Sequence, residues 1–158
     1  MRVPEVVVPV PVPVPVVVVV LLPVVRVAPD VTLMDAARTM KDLNIGPLPV
    51  CDGERLLGMV TDRDITVRAT AEGRDPRHTP VSDVMSSEVV CCHESDDIRV
   101  AAKLMQEAQL RRLLVINDRG RLVGIVSLGD LVLQTGDEEL AGHTLEKVSE
   151  PAPTPSRA

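Results

Sequence analysis

Leu56-Leu57-Gly58-Met59-Val60-Thr61-Asp62-Arg63-Asp64-Ile65 returns later in the chain as Leu122-Val123-Gly124-Ile125-Val126-Ser127-Leu128-Gly129-Asp130-Leu131. Both times an apolar run holding a glycine ends on a hydroxyl, and a carboxylate follows three residues later. Working outward, Ala36-Ala37-Arg38-Thr39-Met40 returns as Ala101-Ala102-Lys103-Leu104-Met105. The separation is 65 residues for this pair (101 − 36) and 66 for the first (122 − 56), so one residue is inserted near Arg119-Gly120. A repeat of this length is a small domain rather than a solenoid turn. Two copies in one chain can face each other across a pseudo-two-fold axis, and clefts on such an axis come in related pairs.

The flanking pattern predicts an α+β fold, β-α-β-β-α twice over. In unit one, residues 24–27 are expected as a short strand. Thr32 caps a helix with Asp35 as its box partner. Leu33, Ala36, Ala37, Met40 and Leu43 follow at helical spacing, and Asn44-Ile45-Gly46 ends it. Residues 48–51 and 56–61 are strands about an Asp52-Gly53 turn, and a helix is expected from Asp62 to about Ala71. Unit two repeats the order: a helical turn at 82–85, a strand at 89–92, and a helix capped by Ser95, Asp96 or Asp97. A hairpin of 113–116 and 122–127 and a helix from Leu128 to about Thr135 complete it. The units then run 24–72 and 81–136, joined by a linker at 73–80 that carries Pro76 and Pro80. Residues 1–23 are a low-complexity Val/Pro segment and 137–158 a C-terminal tail, in which 138–148 fits a last short helix and 151–158 is expected to be disordered. One unit alone buries a marginal core, so the two are expected to pack together and leave helix faces for a homodimer.

Composition narrows the function. The formal charge is 17 − 23 = −6, which argues against nucleic acid as the partner, since that needs a clustered basic face. The chain has no Phe, Tyr or Trp. Any bound base must therefore lie between aliphatic walls and backbone, and single-strand binding on stacked aromatics is excluded. Three cysteines are too few for a disulfide framework in a chain this long. Cys91 and Cys92, adjacent on a strand, point to opposite faces and are expected as small hydrophobes. Cys91-Cys92-His93 has no second ligand cluster to complete a metal site. The stretch 6–25 is apolar enough to suggest a membrane span. Pro9, Pro11, Pro13, Pro15 and Pro23 remove helical donors and argue against one, and Arg2 alone is a poor start for a signal peptide. The expectation is an extended segment, no membrane, and a cytoplasmic protein.

The chemistry concentrates where each second strand meets a helix. A helix start offers unpaired N–H groups and a positive dipole end, which suits a phosphate. Thr61 and Ser127 place a hydroxyl there. Asp64 and Asp130 place a carboxylate that can accept both hydroxyls of a ribose. Ser/Thr-x-x-Asp is equally the spacing of a capping box, as at Thr32 and Asp35, so capping and ligand binding both stay open. Gly58 and Gly124 leave room for a close approach to the strand. Arg111-Arg112 stands where unit one has Gly46-Pro47. Those arginines, and Arg63, either neutralise phosphates or serve as a solvated helix end and a carboxylate partner. No nucleophile with a base, no P-loop and no dinucleotide fingerprint is present, and an enzyme is not expected.

These features resemble a tandem CBS-domain protein, the cystathionine-β-synthase-type pair or Bateman module. Residues 44–50, 58–64, 82–85, 109–116 and 124–130 carry the resemblance, which covers roughly 24–135. It implies two repeats packed about a pseudo-two-fold axis, with small mixed sheets flanked by helices. It implies a stand-alone bacterial regulator that senses AMP, ADP or ATP, with S-adenosylmethionine second, in clefts between the repeats. Thr61 and Ser127 would lie near phosphate or ribose, and Asp64 and Asp130 on ribose hydroxyls. The implied partners are a second copy and a separate regulated protein. Where unit two has Ser82-Asp83-Val84-Met85, unit one has Val17-Val18-Val19-Val20 and no polar turn. The alternative is a ligand-free dimeric scaffold that retains the fold.

Overall fold

The computed structural model describes residues 24–151. Residues 1–23, and with them the expected extended segment and the 17–20 stretch, lie outside the described residues, as do 152–158. Unit one contains α1 (Leu33–Leu43), β1 (Pro47–Asp52), β2 (Arg55–Thr61) and α2 (Asp62–Asp64), which runs on as a π-helix (Ile65–Thr70). A 3-10 turn (Val81–Asp83) leads into unit two: β3 (Cys91–His93), α3 (Ile98–Ala108), β4 (Arg112–Ile116), β5 (Leu122–Ser127), α4 (Leu128–Thr135) and α5 (Glu138–Ser149).

α1 begins as its sequence dictates. The Thr32 hydroxyl donates to the Asp35 carboxylate at 2.9 Å and accepts the Asp35 N–H at 3.2 Å. It ends on Asn44 at φ 53°, and α3 ends at the equivalent Gln109 at φ 52°. These are left-handed caps whose N–H groups return to the last turn. β1 and β2 pair antiparallel, from Pro47 opposite Thr61 to Asp52 opposite Arg55. β4 and β5 do the same, and β3 adds to β4 in parallel. Both hairpins carry a register shift at the same repeat position, Val50/Cys51 and Val115/Ile116.

The strand expected at 24–27 is not formed. Only Val27 bridges β1, donating to the Pro49 carbonyl and accepting the Cys51 N–H, both at 2.9 Å. Proline blocks the ladder on both sides. Continuing it one way needs an N–H from Pro49, and continuing it the other way needs one from Pro29. Unit two has Leu114 where unit one has Pro49, and there a three-residue strand forms.

The helix expected from Asp62 to Ala71 is α-helical for one turn only. Ile65, Thr66, Val67 and Thr70 are β-branched and fit a helix poorly. The Thr66 hydroxyl takes the Asp62 carbonyl at 3.0 Å, and the Thr70 hydroxyl takes that of Ile65 at 3.3 Å. Hydroxyls that compete for helical carbonyls loosen the turn. The wider ladder shows in Ala71 N–H bonding Thr66 at 3.1 Å.

Strand alternation sorts the side chains between two surfaces. Leu48, Val50 and Val60 face α1 in the core of unit one, and Leu113, Val115 and Val126 face α3 and α4 in unit two. Cys51, Met59, Leu114 and Ile125 lie on the opposite faces and pack the two sheets against each other. Cys91 and Cys92 do point apart, the first into this interface and the second into the core of unit two. The residues just after the linker also pack on unit one. Val81 and Val84 are buried in the core of unit one, and the Arg68 guanidinium donates to the carbonyls of Val84 and Met85 at 2.9 and 3.2 Å.

The pseudo-two-fold axis is written in hydrogen bonds. Leu56 N–H donates to Gly120 O at 3.2 Å, and the equivalent Leu122 N–H donates to Glu54 O at 2.9 Å. The hairpin tips are thereby pinned to each other, with an Arg121–Glu54 ion pair at 2.8 Å beside them. α5 departs from the symmetry. It packs on α3 and α4, burying Val148 and Thr144, and the Gln106 amide donates to the Thr144 hydroxyl at 2.8 Å. Part of the helical surface expected to be open for a second copy is thus covered by the chain's own C-terminal helix.

Candidate functional site

The hairpins are tied at their tips and open at their other ends, where Pro47 sits beside Thr61 and Arg112 beside Ser127. Two adjoining clefts occupy that open end. The first, of about 570 Å3, is lined by Thr61 and Asp62 from unit one and by residues 110–114 and the start of α4 from unit two. The second, of about 530 Å3, is lined by Ser127 and Asp130 from unit two and by residues 43–47 and Val24-Val25 from unit one. In each, the helix start of one unit faces the strand entry of the other. Both volumes are within the usual range for a small-molecule site. Pro47, Pro49 and Ile125 wall both clefts, supplying the aliphatic surface that a chain without aromatics must use.

The two aspartates are held alike and placed differently. Asp64 Oδ2 accepts the Thr61 N–H at 3.0 Å and its hydroxyl at 2.7 Å, while Thr61 Oγ1 accepts the Asp64 N–H at 3.0 Å. Asp130 Oδ2 accepts the Ser127 N–H at 2.6 Å and hydroxyl at 2.7 Å. Both are capping boxes. Asp64 Oδ1 also faces the Arg68 guanidinium at 3.6 Å. Since Arg68 is bonded to Val84 and Met85, which pack on unit one, both oxygens of Asp64 are engaged within that packing. Asp64 lines neither cleft, whereas Asp130 lines the second.

Of the other residues singled out in the sequence, Thr61 and Ser127 line the clefts and Arg112 lines both. Arg63 is exposed and lines neither, and its backbone N–H donates to the Asp62 carboxylate at 2.8 Å. Arg111 lines the first cleft, and its guanidinium reaches the Ser149 hydroxyl at 3.5 Å. Neither Arg111 nor Arg112 forms an ion pair among the described residues, so two positive charges stand unneutralised at the cleft. What approaches Gly58 is the Met85-Ser86 stretch after the linker. Met59 and Ser86 exchange two backbone bonds, and a β-carbon at Gly58 would lie 2.5 Å from Ser86 O.

Sequence reasoning missed Asp62, which lines the first cleft where unit two has the apolar Leu128. Its position at the first residue of a helix facing Gly46 was the available signal. The Asp62 N–H donates to Gly46 O at 3.1 Å. Burial pushes the thiols of Cys51 and Cys91 up, and that of Cys92 up to about 12, with the charges of Asp96 and Cys91 adding to the effect. All three cysteines are free. Among the described residues no group of three His, Cys, Asp or Glu side chains is placed to hold a metal ion, and no helix is long and apolar enough to cross a membrane.

The CBS domain model matches residues 19–69 and 81–134. The chain belongs to the CBS-domain family. The CBS domain-containing protein YhcV of Bacillus subtilis is 45% identical over 126 residues, spanning 80% of this chain and 89% of that one. Among solved structures, hypoxic response protein I with two coordinated zinc ions shares 34% identity at a TM-score of 0.69, covering 76% of this chain and 98% of that one. The CBS domain pair of protein MJ0100, in complex with 5'-methylthioadenosine and S-adenosyl-L-methionine, is 26% identical at a TM-score of 0.64, covering 76% of this chain and 98% of that one. The two CBS repeats here have the family's small sheets and flanking helices.

Proposed function

We propose that this CBS pair is a regulatory module that binds an adenosyl ligand between its repeats. AMP, ADP or ATP is the first choice and S-adenosylmethionine the second. The observation that carries it is the pair of adjoining clefts, each built from one repeat's helix start and the other's strand entry, with unpaired arginines beside aliphatic walls. The MJ0100 pair, crystallised with two adenosyl compounds, supports the same ligand class. The second cleft fits the ribose best, because Asp130 lines it. Adenine would lie against Pro47, Pro49 and Ile125, and the phosphates would reach Arg112.

Binding there can transmit a signal. The hairpins are pinned at their tips, and the clefts sit about 20 Å away at the far end of strands five to seven residues long. A ligand that draws the open ends together rotates one repeat against the other about the tips. It shifts the equilibrium between arrangements by the difference in its affinity for them. A second copy of the chain and a separate regulated protein are the partners this reading implies.

Calorimetric titration with AMP, ATP and S-adenosylmethionine tests the proposal, run beside Asp130→Ala, Asp64→Ala and Asp35→Ala. Saturable binding should be lost from the second cleft in Asp130→Ala and retained in Asp35→Ala. That last variant breaks the same kind of box away from the clefts and costs only cap stability, about 0.5–2 kcal/mol. No heat and no thermal stabilisation at millimolar ligand would leave the fold as an interaction scaffold, since a ligand of the native state must stabilise it by mass action.

A further inference from the structure

Arg112 is the only charged side chain that lines both clefts among the described residues. The other shared walls, Gly46, Pro47, Pro49, Ile125 and Ser127, carry no charge. Arg112 is exposed at the first residue of β4, and no described side chain pairs with it. Each cleft also holds a carboxylate of its own, Asp62 in the first and Asp130 in the second. Each carboxylate opposes a phosphate in its own cleft, and a cation must offset it. Arg111 serves only the first cleft and is held toward Ser149.

We infer that Arg112 is a single phosphate ligand for which the two clefts compete, so that an anionic ligand in one weakens the binding of an anionic ligand in the other. This rests on the adenosyl reading above. A guanidinium presents its donors as one planar fork and satisfies one phosphate geometry at a time. Whichever cleft fills first takes that fork. The second ligand then meets a neutralised arginine and a negatively charged neighbour across the shared wall. A charge-assisted pair gained by the first ligand and denied to the second separates the two steps by about tenfold or more. Adenosine has no phosphate and makes no claim on Arg112, so its two steps are not coupled in this way.

Calorimetry on the full chain, with AMP and adenosine as probes, decides the matter. Leu110→Trp narrows only the first cleft and Leu43→Trp only the second. Both positions are well exposed, at 38% and 48%, so the substitutions leave the core alone. Each variant should bind one AMP, and the cleft that fills second in the wild type should bind it more tightly once the other cleft is blocked. Adding Arg112→Gln to either should weaken AMP about tenfold and leave adenosine unchanged. If Arg112→Gln weakens AMP in only one of the two single-cleft variants, the arginine belongs to that cleft and the competition is refuted. Should a tryptophan variant fail to fold, the wild type suffices. The gap between the two AMP steps should narrow as salt rises and be smaller with adenosine, and a gap indifferent to both overturns the inference. Two equal AMP steps overturn the coupling alone, whereas no AMP binding at all overturns the adenosyl reading with it.

Discussion

Replacing Gly58 with alanine should loosen the Met85-Ser86 stretch from unit one. A β-carbon there would sit 2.5 Å from Ser86 O, 3.2 Å from Met85 Sδ and 3.3 Å from the Ser86 carbonyl carbon. A carbon–oxygen contact relaxes at about 3.3 Å or more, so the Ser86 backbone must retreat by roughly 0.8 Å. The two bonds it exchanges with Met59 now measure 2.9 and 2.8 Å. A retreat of that size carries both to about 3.6 Å, beyond useful hydrogen bonding. Two net backbone bonds are worth about 1–3 kcal/mol together. At about 2–4 °C per kcal/mol for a chain of this length, the melting temperature should fall by roughly 2–12 °C. Differential scanning calorimetry with Gly142→Ala as control measures this. A β-carbon at Gly142 meets nothing within 4 Å, and alanine there should stabilise α5 by about 0.5–1 kcal/mol. A Gly58→Ala protein that melts at or above wild type would show that the Met85-Ser86 stretch is not held by this contact.

Thr144→Val removes the acceptor of the Gln106 amide at the α3–α5 contact and should lower stability by about 1–3 kcal/mol in urea unfolding. Adding Gln106→Leu should recover much of the loss if the unpaired amide is its cause. The Cys92 thiol, raised to about 12, should resist iodoacetamide in the native protein and react once unfolded, as read by mass spectrometry. Its folded pKa lies above the unfolded value of about 8.5. The stability tied to the protonated thiol is therefore full below that value and is lost as pH rises toward 12. Cys92→Ala should reduce the alkaline decline in the urea midpoint, and an unchanged decline would place its cause elsewhere.

The sequence alone determined what depends on local pattern and on repetition. The 65–66 residue repeat announced two like units, and the Thr32/Asp35 cap, the hairpins and α4 follow from periodicity, turn residues and short-range hydrogen bonds. The Thr61/Asp64 and Ser127/Asp130 boxes were legible as spacings, and Arg112 as a charge where the other unit has proline. Tertiary structure decided which of these meet. Asp64 and Asp130 occupy equivalent positions in sequence. Yet Arg68, anchored to the Val84 carbonyl 16 residues away, draws Asp64 into unit one, while Asp130 looks onto the strand entry of the opposite unit. The missing strand at 24–27 depends on which carbonyls and N–H groups fall opposite Pro29 and Pro49, a matter of register that composition does not contain. The π-helix after Asp64 reflects hydroxyls competing with backbone donors for the same carbonyls. The two clefts exist only because the hairpin tips pair across the pseudo-two-fold axis, bringing residues some 65 positions apart to one side of the molecule.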